Sequence, residues 1–516
     1  MSNLLIKNFL ILTVFIFGSL EAVPNIVTDS NKKENPYLTE SKKFKLINFN
    51  DLPETIIRNN KEYAAAIKRF DQASYALKAI LKLKYPSIDL QSNKLPSYLI
   101  GEEYRNPKYN SLTDLESNQL ETSLSAVIKW EIIDPERRPE IAIKRLSLDK
   151  AKNALKTIKN DLILRAQSQY YQLQTVRAKI NVSKTMVDSS RKSLESTITK
   201  NKAMLAPELE VFEAETQLLR DKVLLNNGYR DEAEAIRQLT STLGLDENYL
   251  AITNNQISIK GLWNNSLEKT KNEALIYNDK LKELDLEIKI AGEQIKKSKA
   301  LLKPKFSIVN TLSGSYKLGE EEVAPPIENE NYGRSFNNTI ALTSQWKIFD
   351  AGRSKNLKEK SISRKKEFKA KYEIENKILI KNLENSYATL LSSKQNILNS
   401  YIQVIKQKEI LDISDKRFKA GITNQREIIN NQRDLLFAKN SFIDAVAIYN
   451  NNLINLKRLS GDLDITPCDN NLKKIGNFNN LNIFSEIKYD ICQIDFEKIN
   501  EIEGISKKDE IDKDLG

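Results

Sequence analysis

The sequence predicts a mainly α-helical chain that also carries membrane β-strands, built as a duplicated helix–strand–strand–helix–helix unit. Three observations predict it. Turn formers are scarce: the 516 residues contain 15 glycines and 13 prolines, where average usage would give about 36 and about 26. A chain with few turns has long elements. Apolar residues recur at heptad spacing over long stretches, the pattern of packed helices. The whole pattern then returns at an offset near 217 residues, as a tandem duplication of one supersecondary unit would.

Composition excludes much chemistry. There is no histidine, hence no imidazole acid–base relay and no imidazole-ligated metal. Two cysteines cannot build a four-thiolate zinc site. No phosphate loop, dinucleotide fingerprint or nucleophile elbow occurs. The expectation is no enzyme activity, no cofactor and no metal. The net charge of +11 suggests an acidic partner, but 80 basic and 69 acidic residues are interleaved, as in 283–299 and 364–377. That reads as solvated helix faces, and no nucleic-acid partner is expected.

The elements follow in chain order. Residues 1–22 read as a signal peptide: Lys7 supplies the positive end, 9–20 an apolar core, and Leu20-Glu21-Ala22 an approach to cleavage. The core is too short to cross ~30 Å of hydrocarbon as a retained helix, though an uncleaved anchor is the alternative reading. Residues 23–47 are rich in Asn, Lys, Ser and Thr and are expected to be a flexible lead-in. A first repeat spans 48–245, a linker 246–263, a second repeat 264–463, and a C-terminal extension 464–516 with a disordered end. No later run of 18 apolar residues exists, so any further contact with a membrane is peripheral or through strands. Cys468 and Cys492 are either a disulfide formed in an oxidising compartment or two separate thiols. The aromatics of 478–496 are expected to fold back on the helices.

The duplication is read from three features. Trp130-Glu131-Ile132-Ile133-Asp134-Pro135-Glu136-Arg137 returns as Trp346-Lys347-Ile348-Phe349-Asp350-Ala351-Gly352-Arg353. The heptad set Ala166, Leu173, Ile180, Val187, Leu194 returns as Leu383, Leu390, Ile397, Val404, Leu411. Val211, Leu218, Leu225 and Leu239 return as Ile428, Leu435, Phe442 and Leu456.

Within each unit, period-two alternation marks two strands: about 86–100 and 119–133, then about 305–318 and 335–349. Their length suits a barrel strand crossing an outer membrane. Trp130 and Trp346 stand at the strand ends, either in an interfacial aromatic belt or in a core. Helices over 135–200 and 352–418 would each reach ~100 Å, turn at 202–207 and 419–424, and return. The step from Leu162 to Ala166 is a stutter that locally unwinds the supercoil. Four strands cannot close a barrel, for which about eight is the minimum, and an open sheet edge cannot persist in lipid. The barrel must be shared between chains. Three chains would give twelve strands, which the polar inward faces favour over eight.

These residues resemble the TolC family of trimeric outer-membrane efflux proteins over roughly 48–463. The match is carried by the duplicated unit, the two junctions Trp130, Asp134, Arg137 and Trp346, Asp350, Arg353, the turn Arg417-Phe418-Lys419-Ala420-Gly421-Ile422-Thr423, and the closing helix 449–461. The resemblance implies a homotrimer with a 12-stranded outer-membrane β-barrel continuous with a 12-helix periplasmic α-barrel. It implies an exit duct of tripartite efflux or type I secretion, a passive conduit for small molecules or polypeptides. Its partners would be outer-membrane lipid, a periplasmic membrane-fusion adaptor, and an inner-membrane pump of RND, ABC or MFS type.

The resemblance also places site residues. The family rings its entrance with two acids just after the second hairpin turn; here Glu427 and Asn430 match, so only one is acidic. The duplicate positions Glu210 and Glu213 could supply charge, or all three acids are ordinary solvated helix residues. Thr423 stands where the family often has a basic residue, so the closing contacts must differ. Adaptor docking is expected at Ala420, Gly421, Ile422 and Thr423 and at Ala203, Met204, Leu205 and Ala206. A periplasmic coiled-coil adaptor or structural tether is the rival reading. It accounts for the helices but not for four amphipathic strands, and the catalytic inventory gives a secreted enzyme no support.

Overall fold

A computed structural model describes residues 35–38, 42–105, 113–253, 257–321, 330–461, 464–468 and 491–494. The signal segment and most of the C-terminal extension lie outside the described residues. The elements are β1 (Lys43–Leu46), α1 (Leu52–Asn59), α2 (Lys61–Lys82), β2 (Ser87–Arg105), β3 (Thr113–Ile133), α3 (Arg137–Lys202), α4 (Glu208–Leu243), β4 (Tyr249–Ile252), α5 (Leu267–Tyr277), α6 (Asp279–Ala300), β5 (Lys305–Glu321), β6 (Glu330–Gln345), α7 (Arg353–Lys419) and α8 (Gln425–Ser460). No helix among the described residues is long and apolar enough to cross a membrane.

Side-chain caps and glycines set the helix ends. Asn60 opens α2 by accepting from the Tyr63 backbone N–H at 2.9 Å, and Asn278 opens α6 by accepting from Lys280 and Leu281 at 3.0 Å each. Gly244 closes α4 at φ +66°, a left-handed conformation natural to glycine. A Cβ there would also stand 2.7 Å from the Asn59 carbonyl oxygen. The heptad stripes become the core. Ala166, Leu173, Ile180 and Val187 are buried on α3, and Leu383, Leu390, Ile397 and Val404 on α7. Leu194 and Leu411, nearest the turns, are only half-buried. Helices α3 and α7 run 66 and 67 residues, ~100 Å each at 1.5 Å per residue.

The main sheet is antiparallel in the order β2-β3-β5-β6. Its register gathers every helix-bearing strand end at one edge. Ser87, at the start of β2, pairs with Lys129 near the end of β3. Ile133 pairs with Phe306 at the start of β5, and Lys305 pairs with Gln345, the last residue of β6. The long edges of β2 and β6 have no strand partner among the described residues.

Five strand boundaries differ from expectation. β6 ends at Gln345 rather than 349, because β5 begins at Lys305 and nothing lies opposite residues 346–349. β2 runs on to Arg105, β3 starts at Thr113, β5 ends at Glu321 and β6 starts at Glu330. The apolar alternation stops short of these residues, but the ladder pairs their backbones. The lead-in and the linker are also corrected in part, since β1 (in 23–47) pairs in parallel with β4 (in 246–263). Asn35 further donates to the Tyr229 carbonyl at 2.9 Å and to Glu232 at 2.8 Å. Each peptide edge satisfies the other, which composition alone cannot foresee.

The paired tryptophans are structural fasteners. Trp130 donates its indole N–H to the Lys84 carbonyl, just past α2, at 2.9 Å. Trp346 does the same to Leu302, just past α6, at 3.0 Å. Both rings stay exposed, so neither is a core residue. Trp130→Phe or Trp346→Phe keeps the ring and removes the donor. Each is expected to destabilise by about 1 kcal/mol, read as a lowered denaturation midpoint.

Candidate functional site

The Trp-x-x-x-Asp-x-x-Arg junctions turn each strand into a long helix. After the tryptophan has fastened the preceding helix, Asp134 accepts from the Glu136 N–H at 3.0 Å. Asp350 accepts from the Gly352 N–H at 3.2 Å and the Ser354 N–H at 2.8 Å. The Ser354 hydroxyl also bonds Asp350 and holds its carboxyl below the usual range. Anionic acceptors at a helix start satisfy free N–H groups and suit the dipole. Ala351 and Gly352 take left-handed φ of +52° and +83° to aim α7 away from β6. Arg137 lies 3.4 Å from Glu131, while Arg353 is exposed.

At the far end of the helices the two hairpin turns lie side by side. In the first, the Met204 N–H reaches the Asn201 carbonyl at 2.8 Å and the Leu205 N–H reaches Lys200 at 2.8 Å. In the second, Gly421 reaches Phe418 at 3.1 Å and Ile422 reaches Arg417 at 2.9 Å. The shared geometry puts Met204 at φ +60° where the second turn has Gly421 at φ +73°. Met204, Leu205 and Ile422 are 95, 78 and 68% exposed. Ala203 and Ala420 are also exposed, while Ala206 and Thr423 are partly covered.

The acids expected near these turns are engaged. Glu427 is one turn into α8, and its backbone N–H donates to the side chain of the N-cap residue Asn424 at 3.2 Å. Its carboxylate accepts from the Thr423 hydroxyl, from Ser414 at 3.2 Å, and from Arg417 at 3.2 Å. The Thr423 hydrogen bond, with Ser414 and the Arg417 charge, holds its carboxyl below the usual range. Glu213 is ion-paired with Arg426 of the other hairpin. Asn430 accepts from Arg433 at 2.6 Å and is exposed, and Glu210 is half-buried in the first turn of α4. The structure therefore brings Glu213 and Glu427 each against an arginine; among the described residues Glu210 and Asn430, one turn from them on the same helices, bond to neither pair.

Contacts between the hairpins are those the sequence reading missed. Lys200 donates to the Phe418 carbonyl at 2.8 Å with its ammonium 3.4 Å from the ring centroid. Gln425 and Gln432 donate to Ser193 at 2.6 Å and Ser189 at 3.0 Å. Behind the turns a cavity of about 510 Å³ lies between Ser189, Ser193, Asp412, Phe418 and Gln432. Partners more than 200 residues apart leave no mark in local spacing.

At the waist, Cys468 and Cys492 form a disulfide with a Cα–Cα distance of 5.5 Å. Of 478–496, the described part is 491–494. Ile491 and Ile494 are buried against the α7–α8 core, and the remainder lies outside the described residues.

Residues 271–462 match the family model described as outer membrane efflux protein. Solved structures share the fold at low identity. CusC, described with its transmembrane channel formation, aligns at TM-score 0.64 and 14% identity over 80% of this chain and 92% of its own. The Campylobacter jejuni CmeC outer membrane channel aligns at 0.62 and 14% over 80% and 85%. The open state of the Neisseria gonorrhoeae MtrE outer membrane channel aligns at 0.60 and 13% over 85% and 96%. Among curated proteins none matches the chain. The resemblance to outer-membrane efflux channels is thus shown both in the second half of the sequence and in the fold.

Proposed function

We propose, for a chain whose residues 271–462 carry the outer membrane efflux protein family's signature, that it is the exit duct of a tripartite efflux or type I secretion system. The observation that carries this is the four-stranded sheet with all its helices leaving one edge and both outer strands unpartnered among the described residues. In lipid such edges require closure. Three protomers joined β6 to β2 would close a twelve-stranded barrel wide enough for an aqueous channel. The matching lengths of α3 with α7 and α4 with α8 support a tandem duplication, and twelve long helices per trimer would continue the barrel as a periplasmic tunnel.

In this reading the hairpin turns close the tunnel. Exposed Met204, Leu205 and Ile422 would meet a periplasmic adaptor, since apolar side chains at a solvent-facing tip call for a partner. Glu427, Asn430, Glu210 and Glu213 would line the constriction, repeated by the three-fold axis. An inner-membrane pump would supply both energy and cargo choice.

The test is single-channel recording in planar bilayers of the purified protein and Glu427→Gln. Wild type is expected to give stable, cation-selective channels. The substitution removes one negative charge per protomer and leaves the Arg417 guanidinium beside it unpaired, so cation selectivity should fall. Glu427 has a lowered pKa, so its charge is present above the ordinary carboxylate range and is lost only as pH falls below it. Selectivity should therefore hold level from neutral pH down to about pH 5. A verified, folded trimer that never conducts would sink the conduit.

A further inference from the structure

The positive charge of this chain is gathered at one level of the fold. Four stretches abut the helix-bearing edge of the sheet: the twelve nearest residues of α2, α3, α6 and α7 with the links to their strands, or 71–86, 134–148, 289–304 and 346–364. These 66 residues hold 18 lysines and arginines against seven acids, a net +11. The whole chain is also +11, so the other 450 residues sum to zero. The sheet register places the four stretches together, because it brings the start of β2, the end of β3, the start of β5 and the end of β6 to one edge.

Much of this charge is available. Lys84, Arg138, Lys299, Lys303, Lys355 and Lys360 are exposed, and none has an ion-pair partner among the described residues. Just above them the strands present exposed Ile88, Leu90, Ile340 and Leu342, followed by the exposed rings of Tyr85, Trp130 and Trp346. Apolar band, aromatic ring and cations in that order match the layers of a membrane interface, where anionic headgroups attract basic side chains.

We infer that this basic collar binds the anionic phospholipid headgroups of the leaflet on the helix side of the sheet and fixes the depth at which the barrel sits. The inference rests on the membrane reading of the sheet. A lipid surface is favoured over a soluble polyanion because the charges adjoin the apolar and aromatic band.

The test reconstitutes the full chain into phosphatidylcholine vesicles with a minor fraction of phosphatidylglycerol, and measures which lipid stays with the extracted protein. Phosphatidylglycerol should be enriched, less so at high salt. The quadruple variant Lys299→Gln, Lys303→Gln, Lys355→Gln, Lys360→Gln should retain at least about fivefold less of it. A control with Lys222→Gln, Lys269→Gln, Lys381→Gln and Lys406→Gln, remote from the sheet, should retain it as wild type does. Equal retention by the collar variant, in protein that still conducts, overturns the inference and leaves the channel standing. Wild type that fails to insert overturns both. Collar-dependent binding to isolated cell-wall sacculi, with lipid retention unchanged, would overturn the lipid assignment and give the collar to an acidic wall polymer.

Discussion

Lys439→Met is expected to stabilise the protein, and to do so most strongly at neutral pH and below. Lys439 is 1% exposed on α8, flanked one turn either way by buried Leu435, Leu436, Phe442 and Ile443. Its ammonium nitrogen is buried without a hydrogen-bond partner among the described residues. Burial, with the Lys408 charge nearby, pulls its pKa down to about 7. The unfolded chain holds that proton up to about pH 10.4, so the folded state binds fewer protons between the two values and stability rises with pH across that window. Below about pH 7 the full penalty is present, and above about pH 10.4 it is gone. The difference corresponds to at most about 5 kcal/mol, and methionine fills the same volume without the charge. Denaturation midpoints of the two proteins should differ most at pH 6 to 7 and converge towards about pH 10. A difference that did not change with pH would mean the lysine is not titrating where it sits.

Little in the sequence distinguishes Lys439 from the other lysines. The apolar heptad 428, 435, 442 gives a face, and 439 falls beside that stripe where a long side chain could equally snorkel to solvent. Which way it goes depends on how α7 and α3 pack over it. Periodic elements were legible for the opposite reason. Leu383, Leu390, Ile397 and Val404 announce their burial by spacing alone, and Gly244 and Gly461 mark helix ends at residues that glycine suits. The strands were legible where polar and apolar residues alternate, and β3 was cut short before 119, where Glu116 and Asn118 stand at positions of the apolar face. The two turns were legible because the long helices break there, while the acids beside them were placed by the family resemblance and not by local composition. The pairing of Glu213 with Arg426 and of Lys200 with Phe418 was not, since each needs the hairpins to be set side by side first, and the pairing of Glu427 with Arg417 needs the second turn to fold back on itself. The basic collar is the same lesson at larger scale. Along the chain its charges look like solvated helix faces, and only the sheet register brings them to one level.

Reduction of the Cys468–Cys492 bridge is expected to loosen the waist of the molecule without unfolding the tips. On one side of the bridge, Thr466 and Leu262 exchange backbone hydrogen bonds of 2.7 and 3.1 Å, tying the chain after α8 to the linker between the halves. On the other side, Ile491 and Ile494 are buried at 0 and 4% exposure in the core formed by α7 and α8. Each dock is small by itself. The disulfide spans a sequence separation of 24, and closing a loop of that size is worth about 3 kcal/mol. It makes the two docks release together or not at all. The variant Cys468→Ser, Cys492→Ser should therefore lower the denaturation midpoint and raise proteolysis and amide exchange at 464–468 and 491–494. Reductant should reproduce the effect in wild type and add nothing in the variant. Ile491→Ala separates the two contributions. It removes about 2–5 kcal/mol of packing, and its effect should be smaller in the reduced protein, where the 491–494 segment is already partly released. If the Ile491→Ala effect were the same with the bridge open and closed, the two docks would be independent. The disulfide would then be a passive cross-link rather than the part that couples them.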